Sequence, residues 1–121
     1  MREPLPRLWW LPFGAVPEID PTDLHRALLG PSPPFLIDVR SPTEWRSSRI
    51  DGALNLPITD LAALRAFTPP TDAEVVAICL SAHRSVPAVR LLGARGIPIR
   101  HLAGGMRSWW ALGLPTVGTS S

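Results

Sequence analysis

At 121 residues, 45% of them hydrophobic, the chain is long enough to bury one core without disulfide or metal staples, and one principal domain is expected. A single cysteine excludes an intramolecular disulfide framework and a CxxC redox pair, which favours a reducing compartment. The formal charge is +2, but the twelve basic residues, all arginine, are scattered among ten acids, so no nucleic-acid partner is expected.

Arg2 and Arg7 precede Leu8-Trp9-Trp10-Leu11 with the outline of a signal peptide, yet the apolar run stops at Pro12. Four residues are too few for an h-region, and no run reaches the ~18 apolar residues of a membrane span. The expectation is a soluble cytoplasmic protein, with residues 1–14 as an extension whose Trp9 and Trp10 fold back on the domain.

From there short β-like runs alternate with capped helices, the pattern of an α/β fold with a mainly parallel sheet. Residues 15–19 can form an entering strand. Asp20 reads as an N-cap with Pro21 at the first helical position, Leu24 and Leu28 on one face and Gly30 past the end. Residues 35–39 are almost wholly apolar, which suits a strand covered on both faces.

Ser41-Pro42-Thr43-Glu44 is a capping box, so a short helix follows Arg40 at once. Asp51-Gly52 turns into a brief strand over 53–56, and a helix over about 60–67 offers Leu61 and Leu64 at helical spacing. The strand 75–79 ends on Cys79. Pro87 is tolerated only in a first turn and so marks the start of the next helix, which Gly96 stops. A last strand over 98–102, a tight Gly104-Gly105 loop and a closing helix over 106–112 complete the domain, leaving 116–121 as a flexible tail.

Cys79 is the candidate nucleophile. A strand delivers it to the floor of a short loop, Leu80-Ser81-Ala82-His83-Arg84-Ser85, and a helix starts on the far side, aiming backbone N–H groups and the positive helix end at the sulfur. A free thiol with a pKa of roughly 8.5 is about 3% thiolate at pH 7, and a shift to ~6.5 makes it about three quarters thiolate. That shift is worth about 2.7 kcal/mol. The helix start and the permanently charged Arg84 can supply it, with His83 adding a hydrogen bond, while burial works the other way. The competing interpretation is a small buried hydrophobe at a strand end, which needs neither the arginine nor the helix start.

These pieces together resemble a single-domain rhodanese, of the sulfurtransferase family. The similar stretches are Leu36-Ile37-Asp38-Val39-Arg40 with Glu44-Trp45, then Arg49-Ile50-Asp51-Gly52-Ala53-Leu54-Asn55, the loop from Cys79 to Ser85, and Leu102-Ala103-Gly104-Gly105-Met106-Arg107-Ser108-Trp109. The resemblance covers about 15–115. It implies a rhodanese-like three-layer α/β fold, a five-stranded mainly parallel sheet with helices on both faces. It also implies that a sulfane sulfur passes from a donor such as thiosulfate to a thiophilic acceptor, cyanide or a thiol, through a Cys79 persulfide.

By the same resemblance, Leu80, Ser81, Ala82, His83 and Ser85 form the cradle that receives the substrate, with Cys79 and Arg84 catalytic. Asp38, Arg40 and Glu44 are structural support, with Arg40 expected to pair with Glu44. Trp109 and Trp110 are expected in the core or at the rim. No metal or organic cofactor is implied; the partners implied are the small donor and acceptor, with a protein acceptor conceivable and no membrane. Three departures stand out: Ala82 where the family usually has glycine, neutral Leu80 and Ser81 where thiosulfate users often carry basic side chains, and Arg49 where histidine is common.

Two rivals differ in class. A cysteine-dependent phosphatase or arsenate reductase has five residues between cysteine and arginine, whereas four separate Cys79 from Arg84 here, a cradle sized for sulfur rather than phosphate. A non-catalytic interaction module would keep the fold and lose the transfer.

Overall fold

The computed structural model describes residues 16–70 and 72–119. Residues 1–15, with Trp9 and Trp10, and the last two serines lie outside the described residues. Strands and helices alternate: β1 Glu18–Ile19, α1 Pro21–Leu28, β2 Phe35–Asp38, α2 Pro42–Ser47, β3 Leu54–Asn55, α3 Leu61–Ala66, β4 Val75–Ile78, α4 Ser85–Ala94, β5 Ile99–Leu102 and α5 Gly105–Ala111. The five strands pair in parallel in the order β1-β5-β4-β2-β3, which puts β4 at the centre.

Local chemistry sets where the helices begin. Asp20 accepts the Thr22 amide at 3.1 Å ahead of Pro21. Ser41 Oγ accepts the Glu44 amide at 3.2 Å while Glu44 Oε1 accepts the Ser41 amide at 3.0 Å, completing the capping box. Asp60 caps α3 through the Ala63 amide at 3.1 Å. Two helix details differ from expectation: α5 begins at Gly105, and Leu61 is 45% exposed, so Leu64 alone of that pair reaches the core.

Alternation along β4 divides the core. Val75, Ala77 and Cys79 join Ile37, Val39, Leu64, Ala88, Val89 and Leu92 beneath α3 and α4. Val76 and Ile78 face Leu24, Met106 and Trp109 of α1 and α5. Each Val, Leu, Ile or Met so buried contributes about 1.5–3 kcal/mol, and the two-sided cover explains the unalternating apolar runs 35–37 and 75–78.

The described part of the tail, 116–119, makes backbone hydrogen bonds to the end of α2 and the turn after it. Val117 and Arg49 exchange two backbone hydrogen bonds of 2.8 Å, and the Thr119 amide donates to Arg46 O at 2.9 Å. Backbone groups at the end of α2 need partners, and the tail supplies them. No helix among the described residues is long and apolar enough to cross a membrane.

Candidate active site

Cys79 follows the last residue of the central strand, at the carboxyl edge where open parallel sheets place ligands. Its parity with Val75 and Ala77 turns the thiol toward α4. The Arg84 amide, at the start of α4, donates to Sγ at 3.1 Å, and the Ser81 backbone contributes a second hydrogen bond.

The opposite wall aims the loop. The Met106 amide donates to Cys79 O at 2.8 Å and the Arg107 amide to Leu80 O at 2.9 Å. Carbonyl and N–H point opposite ways across a trans peptide, so drawing Leu80 O toward α5 turns the Ser81 N–H toward the sulfur. This approach needs Gly105: a Cβ there would lie 2.5 Å from Cys79 O and 2.6 Å from Leu80 C. Burial pushes the Cys79 thiol up, but the Ser81 and Arg84 amides and the Arg84 guanidinium together outweigh it, and the net displacement is below the ordinary value.

The pairing expected between Arg40 and Glu44 does not form. Glu44 instead accepts the fork of Arg84, Nη1 at 2.7 Å and Nη2 at 2.9 Å. That contact pulls the Glu44 carboxyl down to about 2 against the opposing effect of burial. Arg40 turns to Asp38, with Nε at 2.9 Å from Oδ1 and Nη2 at 2.7 Å from Oδ2, and donates to Ser48 O at 2.6 Å. The physical reason is facing: Asp38 alternates with Ile37 and Val39 and so lies on the α5 side of the sheet. Arg40 joins it there, with Trp110 5.9 Å away, while Glu44 on α2 meets the loop.

The model of the rhodanese-like domain matches residues 20–112. The chain belongs to the rhodanese-like family. It is 36% identical over 103 residues to a sulfurtransferase of Allochromatium vinosum, an alignment covering 84% of this chain and 95% of that one. The rhodanese-related protein of Thermoplasma volcanium has a TM-score of 0.75 at 30% identity, covering 84% of this chain and 97% of that chain. A thiosulfate sulfurtransferase of Pseudomonas aeruginosa also gives 0.75 at 30%, covering all of this chain but only 22% of that one.

In this rhodanese-like chain the expected site residues fall into two groups. Leu80, Ser81, Ala82, His83 and Arg84 curl over Cys79, with Ser85 buried beneath them as the first residue of α4. Asp38 and Arg40 stand on the other face of the sheet, fully buried, with Arg40 tied to Ser48 O at the end of α2. Ala82 has φ +80, in the left-handed region, at a cost to alanine of roughly 1–2 kcal/mol. Trp109 is buried and donates to Pro115 O, whereas Trp110 is 41% exposed and donates to Ser48 Oγ.

Arg49 spreads its guanidinium over the Trp45 ring, 4.3 Å from the centroid. Gly105, of the tight Gly104-Gly105 pair legible in the sequence, permits the close backbone approach to Cys79 and Leu80. Sequence reasoning passed over one residue that shapes the site. His101 sits on β5 with Nδ1 2.9 Å from Ser85 Oγ, a contact only the strand order reveals. Among the described residues no cluster of three or more His, Cys, Asp or Glu side chains could hold a metal ion.

Proposed function

We propose that this chain is a sulfurtransferase that carries sulfane sulfur on Cys79. The observation that carries the reading is the aim of two loop amides, of Ser81 and Arg84, at Sγ from within a four-residue spacing. Such donors stabilise a thiolate, and after transfer they stabilise the terminal anionic sulfur of a persulfide, much as an oxyanion hole does. The names of the Allochromatium and Pseudomonas relatives support the same chemistry.

With thiosulfate as donor, the Cys79 thiolate attacks the outer sulfur. The new Cys79 S–S bond forms as the thiosulfate S–S bond breaks, and sulfite leaves with the electron pair. Cyanide or a thiolate then attacks the outer persulfide sulfur, and the electron pair of that bond returns to Cys79 as thiolate. Charge and sulfur balance in both displacements, with no external oxidant and no cofactor or metal called for. Leu80 and Ser81 bring no positive charge, so a donor other than thiosulfate, or a protein acceptor, fits the cup better. A lone catalytic thiol is also suited to a reducing, cytoplasmic compartment.

Cys79 is only 1% exposed. That burial favours a second reading, a non-catalytic interaction module. Intact-mass measurement after incubation with thiosulfate and other sulfane donors separates the two. A gain of one sulfur on Cys79 that cyanide removes is the transferase result; a chain that accepts sulfur from no donor is the module result.

A further inference from the structure

Ala82 lies between the two residues whose amides reach the sulfur, in a conformation that alanine adopts at a cost. Backbone strain of that kind persists only where neighbouring contacts over-determine it. The contact on the Ala82 peptide is Ser85, whose Oγ lies 3.2 Å from Ala82 O and 2.9 Å from His101 Nδ1. Ser85 is fully buried and His101 is 5% exposed, so water does not readily replace either bond.

A serine hydroxyl has one hydrogen to give. If Ser85 gives it to His101 Nδ1, the Ala82 carbonyl is left without it. If His101 carries its hydrogen on Nδ1 and donates to Ser85 Oγ, the hydroxyl is free to hold Ala82 O, and both short contacts become hydrogen bonds. Register places the ring for this: His101 pairs with Ala77 of β4 on one side and Glu18 of β1 on the other. Its Nε2 is 3.4 Å from Glu18 Oε1, a contact that by itself favours a hydrogen on Nε2, but Glu18 is 62% exposed and takes its bonds from water, whereas the buried Ser85 and Ala82 groups have no such substitute.

We infer that Ser85 and His101 form a positioning pair, with hydrogen bonds running from His101 to Ser85 to the Ala82 carbonyl, that clamps the strained peptide and thereby keeps the Ser81 and Arg84 amides on Cys79. Burial lowers the imidazole pKa against the pull of Glu18, so the ring is neutral near pH 7 and its tautomer sets the polarity of the chain. The clamp rests on the sulfurtransferase reading only for its effect on turnover.

The test uses Ser85→Ala, His101→Leu and His101→Asn, the last keeping an N–H donor near the position of Nδ1. Each is read by the pH midpoint of Cys79 alkylation and by the rate of persulfide formation. Ser85→Ala and His101→Leu should each raise the midpoint by about one pH unit and slow sulfur acceptance about tenfold, and the double variant should do no more than either alone. His101→Asn should stay within about threefold of the parent rate. Ala82→Gly introduced into Ser85→Ala should recover most of the loss, because glycine needs no clamp at φ +80.

Unchanged midpoints in Ser85→Ala and His101→Leu, additive losses in the double variant, or no recovery with Ala82→Gly overturn the inference. If His101→Leu does not fold, Ser85→Ala with and without Ala82→Gly decides. A parent chain that accepts no sulfur defeats the sulfurtransferase reading alone, since the alkylation midpoints still judge the clamp.

Discussion

Replacing Gly105 by alanine drives a methyl group into the backbone of the active loop. The new Cβ would stand 2.5 Å from Cys79 O and 2.6 Å from both Leu80 C and Leu80 O, and backbone atoms cannot swing aside as a side-chain tip can. Two costs combine: roughly 1–2 kcal/mol for an L-residue at positive φ, and about 1–3 kcal/mol for overpacking. Gly96 provides the control, because its φ is +85 with nothing within 4 Å of an added Cβ. Denaturant unfolding should therefore show Gly96→Ala losing about 1–2 kcal/mol and Gly105→Ala about 2–5 kcal/mol. Only Gly105→Ala should also raise the pH midpoint of Cys79 alkylation, because displacing Leu80 O from the Arg107 amide rotates the Ser81 N–H off the sulfur. Equal losses in the two variants, or a lost stability with an unmoved Cys79 midpoint, would refute the proposed coupling between α5 and the thiol.

Ala82→Gly alone relieves about 1–2 kcal/mol of strain but gives the unfolded chain about 0.4–1 kcal/mol of extra entropy, so a small net stabilisation is expected in the same unfolding assay. A clear destabilisation contradicts it. Glu44 has a folded-state pKa of about 2 against an ordinary 4.5, so its contribution is complete above pH 4.5 and fades as pH falls toward 2. Glu44→Gln should flatten that acid limb of the stability curve; because both partners are about a third exposed, the change is modest, and an unaltered limb would show that the Arg84 contact contributes nothing. Arg40→Leu strands the Asp38 carboxylate in the core and should cost about 3–5 kcal/mol, with thermal unfolding as the check and a loss below about 1 kcal/mol as the contrary result. Arg84→Ala keeps the amide that bonds Sγ, so its alkylation midpoint should rise by less than about one pH unit; a larger rise would move the main role from amide to guanidinium.

The parts of the fold legible in the sequence are those set by neighbours in the chain. Asp20 with Pro21, and Ser41 with Glu44, fix helix starts through bonds that span two or three residues. Unalternating 35–38 and 75–78 mark strands covered twice, and the cysteine at the end of one marks the site. What stayed hidden depends on partners brought from afar. Glu44 is a natural helical partner for Arg40 by spacing, yet the strand's alternation sends Arg40 to the other face and leaves Glu44 to an arginine forty residues away. The sequence places His101 in the last strand without naming that strand's neighbours, and only the position of β5 beside the central strand brings the ring to Ser85. The pairing of Val117 with Arg49 is of the same kind, since no local pattern in 116–119 points to a partner nearly seventy residues back.

Reactivity at Cys79 turns on the charge of its sulfur, and the direct measurement is the ultraviolet titration of the Cys79 thiolate, with Cys79→Ser as the blank. A midpoint clearly below the ordinary ~8.5 of a free cysteine is the predicted result. A midpoint at or above that value would mean that burial outweighs the loop amides, and the sulfur would be a packed core atom instead of a nucleophile.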